Sequence, residues 1–134
     1  MAPSVVWGFG VGLIIALVDA VAIFLTARSN PTEWPIGDVD MLLNVVLYAL
    51  IGFRVGKATG LIRDAAEGAV LAGFVVSAIG VLFLWLLKPA VGGIETPWDV
   101  IGIVSQNIAI GGVLGTIMGW LGVRSGQDSA SARR

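Results

Sequence analysis

Residues 7–27 read WGFGVGLIIALVDAVAIFLTA, an apolar stretch of 21 residues with one charged side chain, Asp19, near its centre. A bilayer hydrocarbon core about 30 Å thick is crossed by roughly 20 residues of helix, so this stretch is long enough to span a membrane. A charged side chain at the centre of a bilayer costs about 2.5–3.5 kcal/mol on insertion scales. We therefore expect the helix to turn Asp19 toward protein neighbours and away from lipid.

The composition of the whole chain indicates the same environment. Hydrophobic residues make up 57% of the 134 residues, charged residues make up 13%, and the mean hydropathy is +0.94. Soluble domains carry about 25% charged residues. A small soluble domain also leaves a large fraction of its surface in water, so it could not bury this much apolar surface. The chain is therefore predicted to be an integral membrane protein with the lipid bilayer as its main partner.

Residue types that are missing exclude several kinds of chemistry. The sequence has no Cys and no His, which excludes disulfides, thiolate metal sites and imidazole bases or ligands. The net charge of −1 argues against a nucleic-acid partner, which would require a basic surface. We expect no enzymatic activity, no cofactor and no metal site.

Four apolar stretches predict four membrane-spanning helices, at about residues 5–27, 39–58, 66–87 and 97–123. The predicted fold is an all-α membrane protein, a four-transmembrane-helix bundle formed by a single domain over residues 1–124. Residues 125–134 are polar and predict a flexible C-terminal tail. The second span has Arg54 and Lys57 at its end, so a half-span is the alternative there unless these side chains extend to the headgroups.

Charge predicts the orientation. With four spans, both termini and the middle loop lie on one side of the membrane, and that side carries six basic residues. They are Arg54, Lys57, Arg63, Arg124, Arg133 and Arg134. The opposite loops carry two basic residues and five acidic ones. Because basic loops stay in the cytoplasm, both termini are predicted to be cytoplasmic in a cytoplasmic-type membrane.

The second and fourth spans resemble one another. Residues 40–60 align with residues 99–119 at an offset of 59 with six identities, three of them glycines spaced four apart. This favours two tandem helical hairpins in a parallel repeat, related by an axis along the membrane normal. The alternative is coincidence in a glycine-rich chain.

Small residues spaced four apart also predict which helix faces pack. Such GxxxG stripes let helix backbones approach closely in lipid. The candidate packing residues are Gly8, Gly12, Gly52, Gly56, Gly60, Gly73, Gly111, Gly115 and Gly119. Packing within the bundle is the simplest interpretation, and a homodimer or a partner membrane protein held through the same stripes is the alternative.

Polar residues at mid-span predict one candidate site. At a rise of about 1.5 Å per residue, one polar group from each helix falls near the middle of the bilayer. The expected intramembrane polar cluster consists of Asp19, Tyr48, Ser77, Gln106 and Asn107. The sequence favours a non-catalytic structural or accessory membrane component, or a homo-oligomer, in which Asp19 holds helices together. The alternative is a small proton- or ion-coupled transporter or channel with Asp19 as its titratable site.

Overall fold

The computed structural model describes residues 2–28, 36–91 and 96–131, which fold into four α-helices. Helix α1 is Pro3–Arg28, α2 is Ile36–Thr59, α3 is Ile62–Val91 and α4 is Pro97–Ser131. All four are long and apolar enough to cross a membrane. The prediction of an all-α protein with four long apolar helices is confirmed.

The helices are longer than the apolar spans that the sequence predicts. Helix α4 has 35 residues, about 52 Å of helix at 1.5 Å per residue, well above the ~30 Å of a bilayer core. It continues through residues 125–131, where the sequence predicts a flexible tail. In this polar segment the Ser129 hydroxyl donates to the Ser125 carbonyl at 2.8 Å. Residues 132–134 of the predicted tail lie outside the described part of the chain.

A tight turn joins α2 to α3. Gly60 has a φ of +72°, and its N–H donates to the Gly56 carbonyl at 2.9 Å. A left-handed residue just after the last helical one is the usual way to end a helix, and glycine adopts it without strain. Gly60 has no atom of another segment within 4 Å of the position a Cβ would occupy. The structure thus places Gly60 at a helix end rather than in a packing face.

The start of α4 is fixed by two polar residues. The Thr96 N–H donates to Asp99 Oδ2 at 2.7 Å, and the Thr96 hydroxyl donates to the same oxygen at 3.1 Å. The acidic side chain thus accepts a hydrogen bond from the backbone N–H of the capping residue, a donor that the helix itself leaves without a partner.

The helices alternate in direction, and like-directed helices lie side by side. Helix α1 packs along α3, α2 packs along α4, and α3 also packs closely against α4. Helices α1 and α4 make no contact within the described ranges. Gly52 and Gly56 face Gly115 and Gly119, an offset of 63 residues. This offset differs by four residues from the sequence alignment, so α4 is displaced along α2 by about 6 Å relative to a symmetric pairing.

Glycines make the closest approaches between helices. A Cβ on Gly52 would lie 2.9 Å from the Gly115 carbonyl oxygen, and one on Gly73 would lie 2.6 Å from the Asn107 carbonyl oxygen. Eight of the nine glycines in the predicted stripes have such contacts with a neighbouring helix, Gly60 being the exception. The eight are Gly8, Gly12, Gly52, Gly56, Gly73, Gly111, Gly115 and Gly119. These glycines therefore pack against other helices of the same chain.

The core lies where these helices meet, and large apolar side chains cover the outside. Ile15, Ile51 and Val55 are fully buried, and small alanines of α3 fill the space between them. Large residues such as Leu17 and Trp98 are exposed. An apolar exterior around a small-residue interior is what lipid as solvent requires.

Candidate functional site

Asp19 lies on α1, nine residues before the helix ends, which corresponds to about 13 Å from the end of the bundle. Its side chain is half-buried and faces α2. The Asn44 amide Nδ2 donates to Asp19 Oδ1 at 2.7 Å. A short hydrogen bond of this kind fixes both side chains and orients the Asn44 amide so that its oxygen points elsewhere.

A second carboxyl group lies beside Asp19. Asp40, in the second turn of α2, is within hydrogen-bonding reach of the Asp19 carboxyl, and the two charges interact. Two carboxyl groups this close repel one another when both are ionised, and a hydrogen bond between them requires a shared proton. The pair can therefore carry two protons, one shared proton or none, depending on the pH and on what else occupies the site.

Several oxygen atoms around this pair have no hydrogen-bond partner within the described residues. They are Asp40 Oδ1, Asn44 Oδ1 and the Tyr48 hydroxyl, all buried. The three residues are spaced four apart along α2 and so form a row on one face. Tyr48 is only 1% exposed, and its hydroxyl interacts electrostatically with Asp19. Unpartnered buried polar atoms are uncommon in native proteins, and a water, an ion or a ligand would complete the hydrogen bonding of these three.

The residues that carry these atoms line a cavity of about 690 Å³ between the first halves of α2 and α4. Among the residues that the structure describes, Asp19 is the only one of α1 that lines the cavity, and none of α3 does. The cavity is partly open to the surface of the bundle. Its remaining walls are mainly apolar side chains, together with the amides of Gln106 and Asn107.

Helices α2 and α4 make their closest contacts beyond the inner end of the cavity. Their second halves meet at glycines, where Gly52 lies against Gly115 and Gly56 lies against Gly119. Toward the first halves, the Tyr48 ring lies over Gly111, with its Cε1 atom 3.3 Å from the place of a Cβ. Tyr48 thus lies at the inner end of the cavity, where the two helices come together.

Ser77 belongs to a different hydrogen-bonded group. Its hydroxyl donates to the Gly73 carbonyl at 2.8 Å and accepts from Asn107 Nδ2 at 3.2 Å. This pair links α3 to α4. Of the predicted cluster, the structure brings Asp19, Tyr48, Gln106 and Asn107 to one cavity, whereas Ser77 lies behind Asn107 and does not line it.

Sequence reasoning missed Asp40 and Asn44 as members of the site. The sequence places Asp40 among the acidic residues of a loop, because it precedes the apolar run of the second span. Gly56 and Gly52 belong to a row of residues spaced four apart on α2. Continued toward the start of the helix, this row reaches Tyr48, Asn44 and then Asp40. Following that row to its first residue is the signal that identifies Asp40.

The charges near the cavity are negative. Arg54, Lys57, Arg63 and Arg124 lie at the opposite end of the bundle, which we call the basic end. There Lys57 lies over the Phe53 ring and Arg124 lies over the Trp120 ring, 6.0 Å and 5.4 Å from the ring centroids. Within the described ranges no basic side chain lines the cavity. The site can therefore hold protons or cations.

No protein-family model matches this chain, and no curated protein or solved structure is significantly similar to it.

Proposed function

We propose that this protein is a small proton- or ion-coupled membrane transporter in which Asp19, paired with Asp40, is the titratable intramembrane site. The observation that supports this proposal is the cavity that reaches Asp19. The sequence favours a structural or accessory component, but a carboxyl that only holds helices together needs no cavity beside it. It also needs no second carboxyl group within hydrogen-bonding reach.

In this proposal, exchange occurs at the carboxyl pair. With one shared proton the pair has a single negative charge, and loss of that proton leaves two negative charges for an incoming cation to neutralise. Proton and cation thus compete for the same oxygens, and this competition is the physical basis of coupling. The titratable groups that face Asp19 within the described residues are Asp40 and Tyr48, both from α2. The acidic residues Asp64 and Glu67 of α3 lie at the basic end.

The proposed orientation places both termini and the basic end in the cytoplasm, following the charge bias of the loops. The cavity then lies in the outer half of the membrane. A homodimer or a partner protein is not part of the proposal, since the predicted glycine stripes make their close contacts within the chain.

The two hairpins are also proposed to be tandem repeats. At the offset of 59 residues, Asn44 corresponds to Ile103 and Tyr48 corresponds to Asn107. All four residues line the same cavity from opposite sides. A duplicated hairpin whose two copies diverged would supply one acidic wall and one more apolar wall.

Infrared spectroscopy of the protein reconstituted in lipid tests the titratable site without knowledge of a substrate. We expect a carbonyl band from a protonated carboxyl group that appears and disappears reversibly with bulk pH and shifts in D₂O. The band should be lost in Asp19→Asn. It should be retained in Glu67→Gln, because the Glu67 carboxylate is exposed and pairs with Arg63 at 2.7 Å. A band that does not change with bulk pH or in D₂O would show that Asp19 is sealed among side chains. That result is what a purely structural role of Asp19 predicts.

Proteoliposomes with an internal pH indicator test transport itself. When a pH gradient is imposed and a panel of inorganic and organic cations is added outside, at least one cation should drive protons in the opposite direction. Protein-free vesicles supply the background. Asp19→Asn should remove the cation-driven proton movement and Glu67→Gln should retain it; equal movement with Asp19→Asn would contradict the proposal.

A further inference from the structure

The cavity is much larger than a proton or a bare metal ion requires. At about 690 Å³ it lies within the range of pockets that bind small organic molecules, roughly 300–1,000 Å³. The walls away from Asp19 are formed by apolar side chains of both helices, among them Val45, Ile110 and Leu114. An occupant that fills this space gains stability by placing an apolar body against these walls.

The polar end of the cavity selects a hydrogen-bond donor with positive charge. Asn44 Oδ1, and Asp40 Oδ1 when its carboxyl is ionised, can only accept hydrogen bonds, and neither has a donor within the described residues. The Asn44 amide is held in this orientation because its Nδ2 already donates to Asp19. The Tyr48 hydroxyl, 1% exposed and unpartnered, can also accept a hydrogen bond. Two carboxyl groups supply the negative charge.

We propose that the substrate is a primary ammonium ion on a compact apolar body, with its N–H groups donating to the Asp19 and Asp40 carboxylates at the polar end of the cavity. An alkylammonium carries three N–H donors, like a lysine side chain, so it can donate to both carboxylates at once. This inference rests on the proposed function and names the substrate class of the same site.

Binding exchanges one positive charge for another. Before binding, one proton is shared by the Asp19 and Asp40 carboxyl groups. The ammonium ion enters with all its protons, the shared proton leaves to water, and two carboxylates then face one cation. No covalent bond to carbon or nitrogen forms or breaks, and the site has the same net charge before and after exchange.

Isothermal titration calorimetry on the reconstituted full chain tests this with four matched probes. They are cyclohexylamine, its N,N,N-trimethylammonium analogue, cyclohexanol and cyclohexanecarboxylate. The amine should bind at least about tenfold more tightly than the trimethylammonium ion, which has the same charge and ring but no N–H donor. The alcohol and the carboxylate should show no binding. Repeating the amine titration in buffers of different ionisation enthalpy should reveal proton release.

Two variants complete the test. Asp40→Asn should weaken amine binding at least about tenfold, and Asp64→Asn, a carboxyl at the basic end, should leave binding unchanged. Circular dichroism shows whether each variant keeps its helices; if Asp40→Asn does not fold, the four probes on the unaltered chain still decide.

Equal affinity for the amine and its trimethyl analogue would overturn the inference, as would binding of sodium or potassium ions alone. If none of the four probes binds while the Asp19 infrared band still follows bulk pH, only the substrate class is wrong. If that band is insensitive to bulk pH, the proposed function is wrong as well.

Discussion

Replacing Gly111 with alanine should separate α4 from α3 and disturb the inner end of the cavity. A Cβ at this position would lie 2.5 Å from the Ala69 carbonyl oxygen and 3.0 Å from the Ala69 carbonyl carbon. Both are backbone atoms of α3, so no side-chain rotation relieves the contact. The same Cβ would lie 3.3 Å from the Tyr48 ring.

The magnitude follows from two opposing effects. Ordinary contacts begin at 3.4 Å, so the helices must separate locally by about 1 Å to accept the methyl group. Overpacking of this kind costs about 1–3 kcal/mol. Replacing glycine with alanine inside a helix returns about 0.5–1 kcal/mol through backbone entropy. Gly111→Ala should therefore lower the free energy of unfolding by up to about 2.5 kcal/mol, and should be about 1–3 kcal/mol less stable than a glycine-to-alanine variant that has no such contact.

Gly102→Ala is the matched control because it makes the same substitution in the same helix. Nothing lies within 4 Å of a Cβ at Gly102. Only the entropic gain applies there, so this variant should be as stable as the unaltered chain or up to about 1 kcal/mol more stable. Unfolding in mild detergent titrated with SDS and followed by circular dichroism measures both variants. The reasoning fails if Gly111→Ala is as stable as Gly102→Ala.

Three further outcomes follow from other contacts. Ser77→Ala removes the acceptor for Asn107 and should cost about 1 kcal/mol in the same SDS titration, whereas Ser105→Ala, at an exposed position, should cost less than about 0.5 kcal/mol. Thr96→Ala removes the cap of α4 and should lower stability by about 1 kcal/mol; an unchanged unfolding curve would show that the cap contributes nothing. Because the chain has no Cys, Gln127→Cys and Thr96→Cys can each be labelled with an impermeant thiol reagent in whole cells. Thr96→Cys should react from outside and Gln127→Cys only after lysis, and the reverse pattern would invert the proposed orientation.

The sequence predicts the helices well because their signal is local. Apolar runs long enough for a bilayer define each span, and the Thr96–Asp99 pattern fixes the start of α4 to the residue. The end of α4 is predicted less well. Residues 125–131 are polar, but they contain no proline, and helix α4 continues through them on its own backbone hydrogen bonds.

The site is only partly predictable because it depends on how helices pair. Intramembrane depth brings Asp19 and Tyr48 to a similar level, but depth does not show which faces meet. The four-residue displacement between α2 and α4 places the Tyr48 ring over Gly111, and no local pattern determines that displacement. Asp40 belongs to the site because it lies on the same face of α2 as Asn44 and Tyr48. Its position in the sequence resembles that of an ordinary interfacial acid.

Thiol reactivity at two adjacent positions of α2 tests the central claim most directly. Val45 lines the cavity, whereas Val46 is 54% exposed on the outside of the bundle and does not line it. Both lie at nearly the same depth in the membrane. Thiols react as thiolates, which form in water and not in hydrocarbon. In reconstituted protein, an impermeant thiol reagent should therefore modify Val45→Cys rapidly and Val46→Cys slowly. Equal slow reaction at both positions would mean that water does not reach the cavity, and the account of Asp19 as an exchange site would be wrong.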